Sequence, residues 1–213
     1  MIRAALLVVM LSVIVSTGVA AGAAGSAFKG DPLVVAEVKA VYKKMASMHT
    51  WRAHTRHFRA GGLVDTTMVE FVAPDRFHIT MTRSGRTTEI FKVGKDLWTM
   101  SGGACRKAPG SIPTPDPRDW QGPGTDVTIT VTRGDRATVD GTPTQTYLLD
   151  YEVTYKAASG TSKEKLYVAT GTGLPRRAER TSSAGSPSTS GASTSTTDYY
   201  DYNAPITINS PPC

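Results

Sequence analysis

The chain has 213 residues, 39% hydrophobic and 8% aromatic, with 24 basic against 18 acidic side chains and a net charge of +6. It is long and apolar enough for one domain with a real core, which excludes wholesale disorder. The basic excess is mild and scattered, whereas a nucleic-acid reader needs its lysines and arginines clustered on one face, so no nucleic-acid partner is expected.

The first segment reads separately from the rest. Met1-Ile2-Arg3 is a short basic start, Ala4 to Val15 is a nearly continuous apolar run, and small residues crowd from Ser16 to Ala27. This is the pattern of a secretory signal peptide over residues 1–27, followed by a single domain over 28–213. The small-x-small rule fits Ala21-Gly22-Ala23 best, with a cut after Ala27 as the second choice. An anchored N-terminus is the competing reading, but the run is shorter than the ~20 residues a spanning helix needs. No cysteine stands near the cut to take a lipid, so a soluble periplasmic product is expected. Removing residues 1–27 takes Arg3 and no acid, leaving a net charge of +5.

From Pro32 to Met48, Leu33, Val34, Val38, Val41, Tyr42, Met45 and Met48 recur at spacings of three and four, with Glu37, Lys39, Lys43 and Lys44 between them. The spacing predicts an amphipathic helix with Asp31 as N-cap and Pro32 at the first helical position. Its apolar stripe suits a sheet better than a membrane surface, because a run of strands follows.

After His49 the period changes to two. Trp51–Arg59, Leu63–Val72, Arg76–Arg83, Thr87–Val93 and Asp96–Ser101 are separated by Gly61-Gly62, Pro74-Asp75, Ser84-Gly85 and Gly94-Lys95, spacers short enough for hairpins. This is one antiparallel meander. Residues Gly102 to Gly124 carry five prolines and no apolar period, and read as a long excursion with one helical turn near Pro117–Gln121. A second set follows at Asp126–Arg133, Thr142–Tyr155, Ser162–Ala169, Pro175–Ser183 and Ser193–Tyr202, with Ser182–Thr197 read as a hairpin loop rather than a linker. About ten or eleven strands and one helix predict an α+β, mainly antiparallel β fold, its strongly curved sheet covered by the helix.

Sites for chemistry are few. His49, His54 and His57 lie close in sequence, but residues three apart on a strand face opposite sides, so His54-x-x-His57 does not converge on a metal. Two cysteines are too few for a metal site, and no cofactor is called for. There is no Gly-x-Ser-x-Gly elbow and no Ser-Lys or Cys-His spacing. Asp65, Glu70, Asp75 and Glu89 could pair as acid and base, but turn and surface roles account for acids at these places equally well. The expectation is that the protein is not an enzyme. Cys105 and Cys213 suit an exported protein in which a disulfide persists, within one chain or between two.

Three pieces carry a family resemblance. Met48-His49-Thr50-Trp51, Ala73-Pro74-Asp75-Arg76-Phe77 and Ile90-Phe91-Lys92-Val93-Gly94-Lys95-Asp96-Leu97-Trp98 resemble segments of the periplasmic outer-membrane lipoprotein carrier superfamily of LolA and LolB, which includes LppX-type lipoproteins and RseB. The ending Ile206-Thr207-Ile208-Asn209-Ser210-Pro211-Pro212 is also similar. The resemblance implies a half-open β-barrel lidded by an N-terminal helix and short helical segments, with an apolar cavity for acyl chains and no catalytic residues. It also implies a carrier of lipid or lipoprotein acyl chains towards the outer membrane, a monomer meeting inner- or outer-membrane transfer proteins. Where LolA has a lid-tethering arginine this chain has Ala73, which puts arginine-gated transfer in doubt but not lipid carriage. The alternative is an RseB-like periplasmic sensor acting on a protein partner, and the chain after Tyr202 is too short for the second domain of that type. The cleanest alternating apolar faces, Phe77, Ile79 and Met81 with Val127, Ile129, Val131, Tyr147, Leu149 and Tyr151, are expected to line the cavity.

Overall fold

In the computed structural model, which describes residues 26–59, 62–108, 125–155, 158–184 and 193–213, Asp31 starts the helix as its chemistry dictates. Its carboxylate accepts from the Leu33 N–H at 2.8 Å, and Pro32, with no N–H to orphan, takes the first helical position. Helix α1 spans Pro32–Ala46, two residues short of the predicted end. Ser47 stops it, since its N–H meets the carbonyls of Lys43 and Lys44 and its hydroxyl returns to the Lys44 carbonyl. Val34, Val38, Val41, Tyr42 and Met45 form the buried stripe.

The strands are β1 (Ser26–Gly30), β2 (Thr50–Arg59), β3 (Gly62–Val72), β4 (Arg76–Arg83), β5 (Arg86–Val93), β6 (Asp96–Ser101) and β7 (Ala104–Lys107). They continue with β8 (Thr125–Val139), β9 (Thr142–Tyr155), β10 (Ala158–Ala169), β11 (Pro175–Ala184) and β12 (Ser193–Tyr200). All twelve form one sheet in the order β1-β8-β9-β10-β11-β12-β2-β3-β4-β5-β6-β7. Every neighbouring pair is antiparallel except β1 with β8. The two runs of strands therefore meet where β12 pairs with β2, joining the end of the chain to the start of the meander.

Twelve strands exceed the expected ten or eleven because β1 and β7 join the sheet through their partners' ladders. Strand β7 lies in the predicted excursion, where Gly102 and Gly103, both at positive φ, reverse the chain and allow four more residues to pair. Strand β8 does not stop at Gly134-Asp135 but passes through a register shift between Arg133 and Arg136 and continues to Val139. Strand β1 straddles the expected end of the leader and the start of the domain. A cut after Ala27 would divide it, whereas a cut after Ala23 leaves it whole. Gly30 closes β1 at φ 129°, and a Cβ there would stand 2.3 Å from the Val131 carbonyl oxygen, so only glycine fits this turn into α1. Strand β12 ends at Tyr200, because Asp201 and Asn203 adopt positive φ. The expected turn at Pro117–Gln121 and the centre of the Ser182–Thr197 loop lie outside the described residues.

A flat sheet of twelve strands would be roughly 50 Å wide and could not share one core under a helix about 10 Å across. Here Phe77, Ile90 and Leu97 from one side belong to the same buried cluster as Val127, Leu149 and the α1 stripe. Curvature brings them together, and α1 covers the concave side near β1 and β8. Among the described residues no helix is long and apolar enough to cross a membrane.

Candidate functional site on the inward face of the sheet

Alternation decides which residues face inward. Val69 and Phe71 on β3 sit opposite Ile79 and Phe77 on β4, and Ile79 sits opposite Ile90 on β5. On the other flank Ile129 of β8 faces Tyr151 of β9, and Val131 faces Leu149. All nine predicted lining residues lie on this one surface, but in two groups with β10, β11, β12, β2 and β3 between them. Phe77, Ile79, Val127, Ile129, Val131, Tyr147, Leu149 and Tyr151 are buried, Ile129 and Leu149 completely at 0% exposure, and Met81 is half-buried against them. Alternation in single strands missed the centre of the surface, where Trp51, Ala53, Leu166, Ala178 and Tyr199 fill the space between the groups.

It also missed the polar residues inside. Ser162, Glu164, Leu166 and Val168 alternate inward on β10, so Glu164 is buried opposite Leu149 and Arg180. The Glu164 and Arg180 side chains are 1% and 4% exposed and pair at 3.7 Å, with the guanidinium 4.5 Å over the Tyr151 ring. Tyr151 reaches Glu164 at 3.4 Å and Tyr42 of α1 at 3.3 Å, both hydroxyl contacts. Burial pushes the Glu164 carboxyl above its ordinary value, and Arg180 and Tyr151 only partly oppose it. Burial likewise raises Tyr42, Tyr151 and Tyr199, helped in each case by the nearby Glu164 carboxylate. At the edge of the lid, Glu37 of α1 accepts from Tyr147 at 3.0 Å and from Arg133. Burial and that carboxylate push Tyr147 up to about 12. These contacts fasten α1 to β8 and β9.

The acids singled out in the sequence split by face. Glu70 and Glu89 converge on the outward face at His78, meeting Nδ1 at 3.1 Å and Nε2 at 2.8 Å, and the imidazole stacks on Phe91 with centroids 4.1 Å apart. Arg52 ties Glu70 at 2.8 Å to Asp201 at 2.7 Å. Burial alone would raise Glu70, but bonds from Arg52 and His78 outweigh it and hold the carboxyl below its ordinary value. Thr80 Oγ1 lies 3.3 Å from His78 Nε2, the arrangement of a hydroxyl and a base. Glu89 already occupies that nitrogen at the shorter distance, so His78 is a bridge between strands rather than a poised base. His57 turns inward to Asp65 at 3.6 Å and its pKa is lowered by burial, while His54 stands beside Arg52 on the opposite side by alternation. The two rings do not meet. Asp75 occupies the β3–β4 turn.

Past β12 the tail crosses the outward side. The Asn203 N–H meets the Thr50 carbonyl at 2.9 Å, the Arg76 guanidinium donates to the Ile208 carbonyl at 3.2 Å, and Cys213 is bonded to Cys105 of β7 in the same chain.

Fold and face together define a class: a single curved, mainly antiparallel sheet, lidded by one N-terminal helix, with a largely apolar inward surface that buries the Glu164–Arg180 ion pair. Among solved structures the chain is similar to the lipoprotein LppX of Mycobacterium tuberculosis, with a TM-score of 0.56 and 13% identity over 84% of this chain and 100% of that one. At that identity the likeness is one of fold. No family model and no curated protein sequence matches the chain.

Proposed function

We propose that the protein is an extracytoplasmic carrier that takes the acyl chains of a lipid or lipoprotein against the inward face of its sheet. The observation that supports this reading is the continuous apolar cluster on that face, in a fold shared with a lipoprotein. The nine lining residues are proposed as the acyl-contacting surface. Ile129 and Leu149 are fully covered, so an acyl chain reaches them only when α1 moves aside and its ties from Tyr42 and Glu37 part. Burying CH₂ groups gains about 0.8 kcal/mol each, so one long chain offers on the order of 10 kcal/mol against that opening and the ordering costs. Micromolar affinity is within reach without a charged clamp at Ala73. The periplasm, a monomeric state, transfer proteins in the two membranes and delivery towards the outer membrane belong to the same proposal.

Titration with a fluorescent fatty acid tests it. Wild type is expected to bind in the micromolar range, and Ile129→Trp or Leu149→Trp to weaken binding while the fold persists. A solid core would instead be overpacked, losing roughly 1–3 kcal/mol of stability. No probe binding by wild type, together with unfolding of these variants, sinks the reading. Mass spectrometry of lipid co-purifying with exported protein would identify the cargo.

A further inference from the structure

We infer that the tip of the β2–β3 hairpin docks the protein on an anionic lipid surface, with apolar residues inserted and a belt of arginines on the head groups. Leu63 is 58% exposed and Val64 38%, and they are neighbours in sequence. The other exposed large apolar side chains among the described residues, Leu33 and Leu148, stand apart on α1 and β9. An adjacent exposed pair at a hairpin end marks a contact surface better than scattered singles do.

Register places the charges relative to that tip. Asp65 of β3 pairs with Arg83, the last residue of β4, and Arg83 pairs with Arg86, the first of β5. Leu63 therefore projects two residues beyond the arginine pair, about 7 Å along the strand. Arg59, opposite Gly62, adds a third cation at the tip itself. Arg59, Arg83 and Arg86 are exposed, and none is in an ion pair among the described residues. Like charges directly opposite across strands oppose pairing, so Arg83 and Arg86 form a site that an anion relieves. The acid beside them, Asp65, turns to His57 at 3.6 Å.

This charge pattern selects the occupant. Amphipathic surfaces that lie on bilayers bury apolar side chains about 5–10 Å into the head-group boundary, so Leu63 at that depth leaves Arg83 and Arg86 level with the phosphates. Among the described residues the inward face of β4 becomes less covered towards this end. Along β4 the exposure rises from Phe77 at 2% and Ile79 at 8% to the half-buried Met81, and Arg83 and Arg86 share that inward parity. For its purpose the inference rests on the carrier reading: the docked end is the mouth through which an acyl chain would pass between bilayer and sheet.

Flotation with vesicles of phosphatidylglycerol in phosphatidylcholine, and with phosphatidylcholine alone, tests the docking on exported protein. Wild type is expected to bind the anionic vesicles and to release as salt rises, because exposed charges are screened beyond a Debye length of about 8–10 Å. Arg83→Gln with Arg86→Gln should lower partitioning roughly tenfold or more, and Leu63→Ser with Val64→Ser should lower it with folding unchanged. A Leu63→Trp reporter should show emission that shifts to the blue over wild type and is quenched by shallowly brominated lipid, even if the leader stays attached. Absence of wild-type binding, unchanged binding by both double variants, or unshifted emission from the Leu63→Trp reporter overturns the inference. So does a wild-type dimer in sedimentation velocity that Leu63→Ser with Val64→Ser abolishes, since the tip would then be a self-association surface. Acyl-probe titration without vesicles separates the two readings: probe binding without docking leaves the carrier standing, and docking without probe binding leaves the surface standing.

Discussion

The two flanks of the sheet are held by opposite means. On the β8–β11 flank the charge is inside: Glu164 and Arg180 pair beneath α1, wrapped by Tyr151 and Tyr42. On the β2–β6 flank the inward face is apolar through Val69, Phe71, Phe77, Ile79, Ile90 and Leu97 up to the charged end at Asp65, Arg83 and Arg86, and the charges of Arg52, Glu70, His78 and Glu89 lie on the outward face. There the disulfide-tied tail does the fastening that the helix does on the other flank. A buried charge pair tolerates little rearrangement, because separating it strands a charge in low dielectric, whereas apolar surfaces slide at small cost. The polar flank thus holds α1 through ties that an acyl chain reaching Ile129 and Leu149 would have to part, and the apolar flank rearranges at smaller cost.

Breaking the buried pair should have the largest effect. Arg180→Met leaves the buried Glu164 carboxylate without the cation it pairs with and is expected to cost roughly 3–5 kcal/mol in urea unfolding near neutral pH. Adding Glu164→Leu should recover most of that, because apolar replacement of a whole buried pair is often neutral. A double variant as unstable as the single one would show that the anchor is not the ion pair.

Next comes the strap. The Cys105–Cys213 bridge spans 108 residues of sequence, and replacing both cysteines by serine should cost roughly 2–5 kcal/mol by chain-entropy arguments. Hydrogen exchange should show the loss of protection concentrated in β6, β7 and the tail, with β8–β10 little changed. Uniform loss across both flanks would remove the distinction drawn above.

Acid should move the flanks in opposite directions. Glu70 is held below the ordinary carboxylate value of 4.5, so its contribution is present above that pH and lost as pH falls through its lowered folded value. Glu164 is raised above 4.5, so its contribution is full below that pH and is lost as pH rises through its folded value. Urea midpoints of Glu70→Gln and Glu164→Gln followed against pH should therefore both approach wild type at low pH, where a protonated carboxyl resembles the amide, and part from it in opposite directions as pH rises, Glu70→Gln falling below wild type and Glu164→Gln rising above it. For the partly exposed Glu70 the difference should stay within about 1 kcal/mol. Identical pH profiles for the two variants would refute the assignment.

The smallest effect concerns the N-terminus. Processing after Ala23 preserves β1 beside β8, and N-terminal sequencing of exported protein checks it. A protein cut after Ala27 should lose Ser26 and Ala27 from that ladder and show a lower melting temperature than the longer form.

Helix α1 and most strand cores were legible because their signals are local: Asp31-Pro32 starts a helix wherever it stands, and Phe77, Ile79 and Met81 alternate on any strand. Strands β1 and β7 were not. Ser26–Gly30 has no apolar alternation and becomes a strand by pairing with Val127–Val131, about a hundred residues away in sequence. Ala104–Lys107 has four residues and depends on β6 for its ladder. The same divide runs through the candidate site, whose apolar members were read from period-2 patterns while Glu164 and Arg180 look like surface residues in their own strands.

By itself the sequence determined which residues share a face, because backbone alternation and helical pitch need no partner. The tertiary structure decided which faces meet. Strand β12 closing on β2, the curvature that gathers both flanks into one cluster, and the burial of a carboxylate beside a guanidinium depend on contacts far apart in the chain. Hydrophobic burial is non-directional and specifies no partner in advance, so only the assembled sheet settles which apolar faces oppose and which charges end up between them.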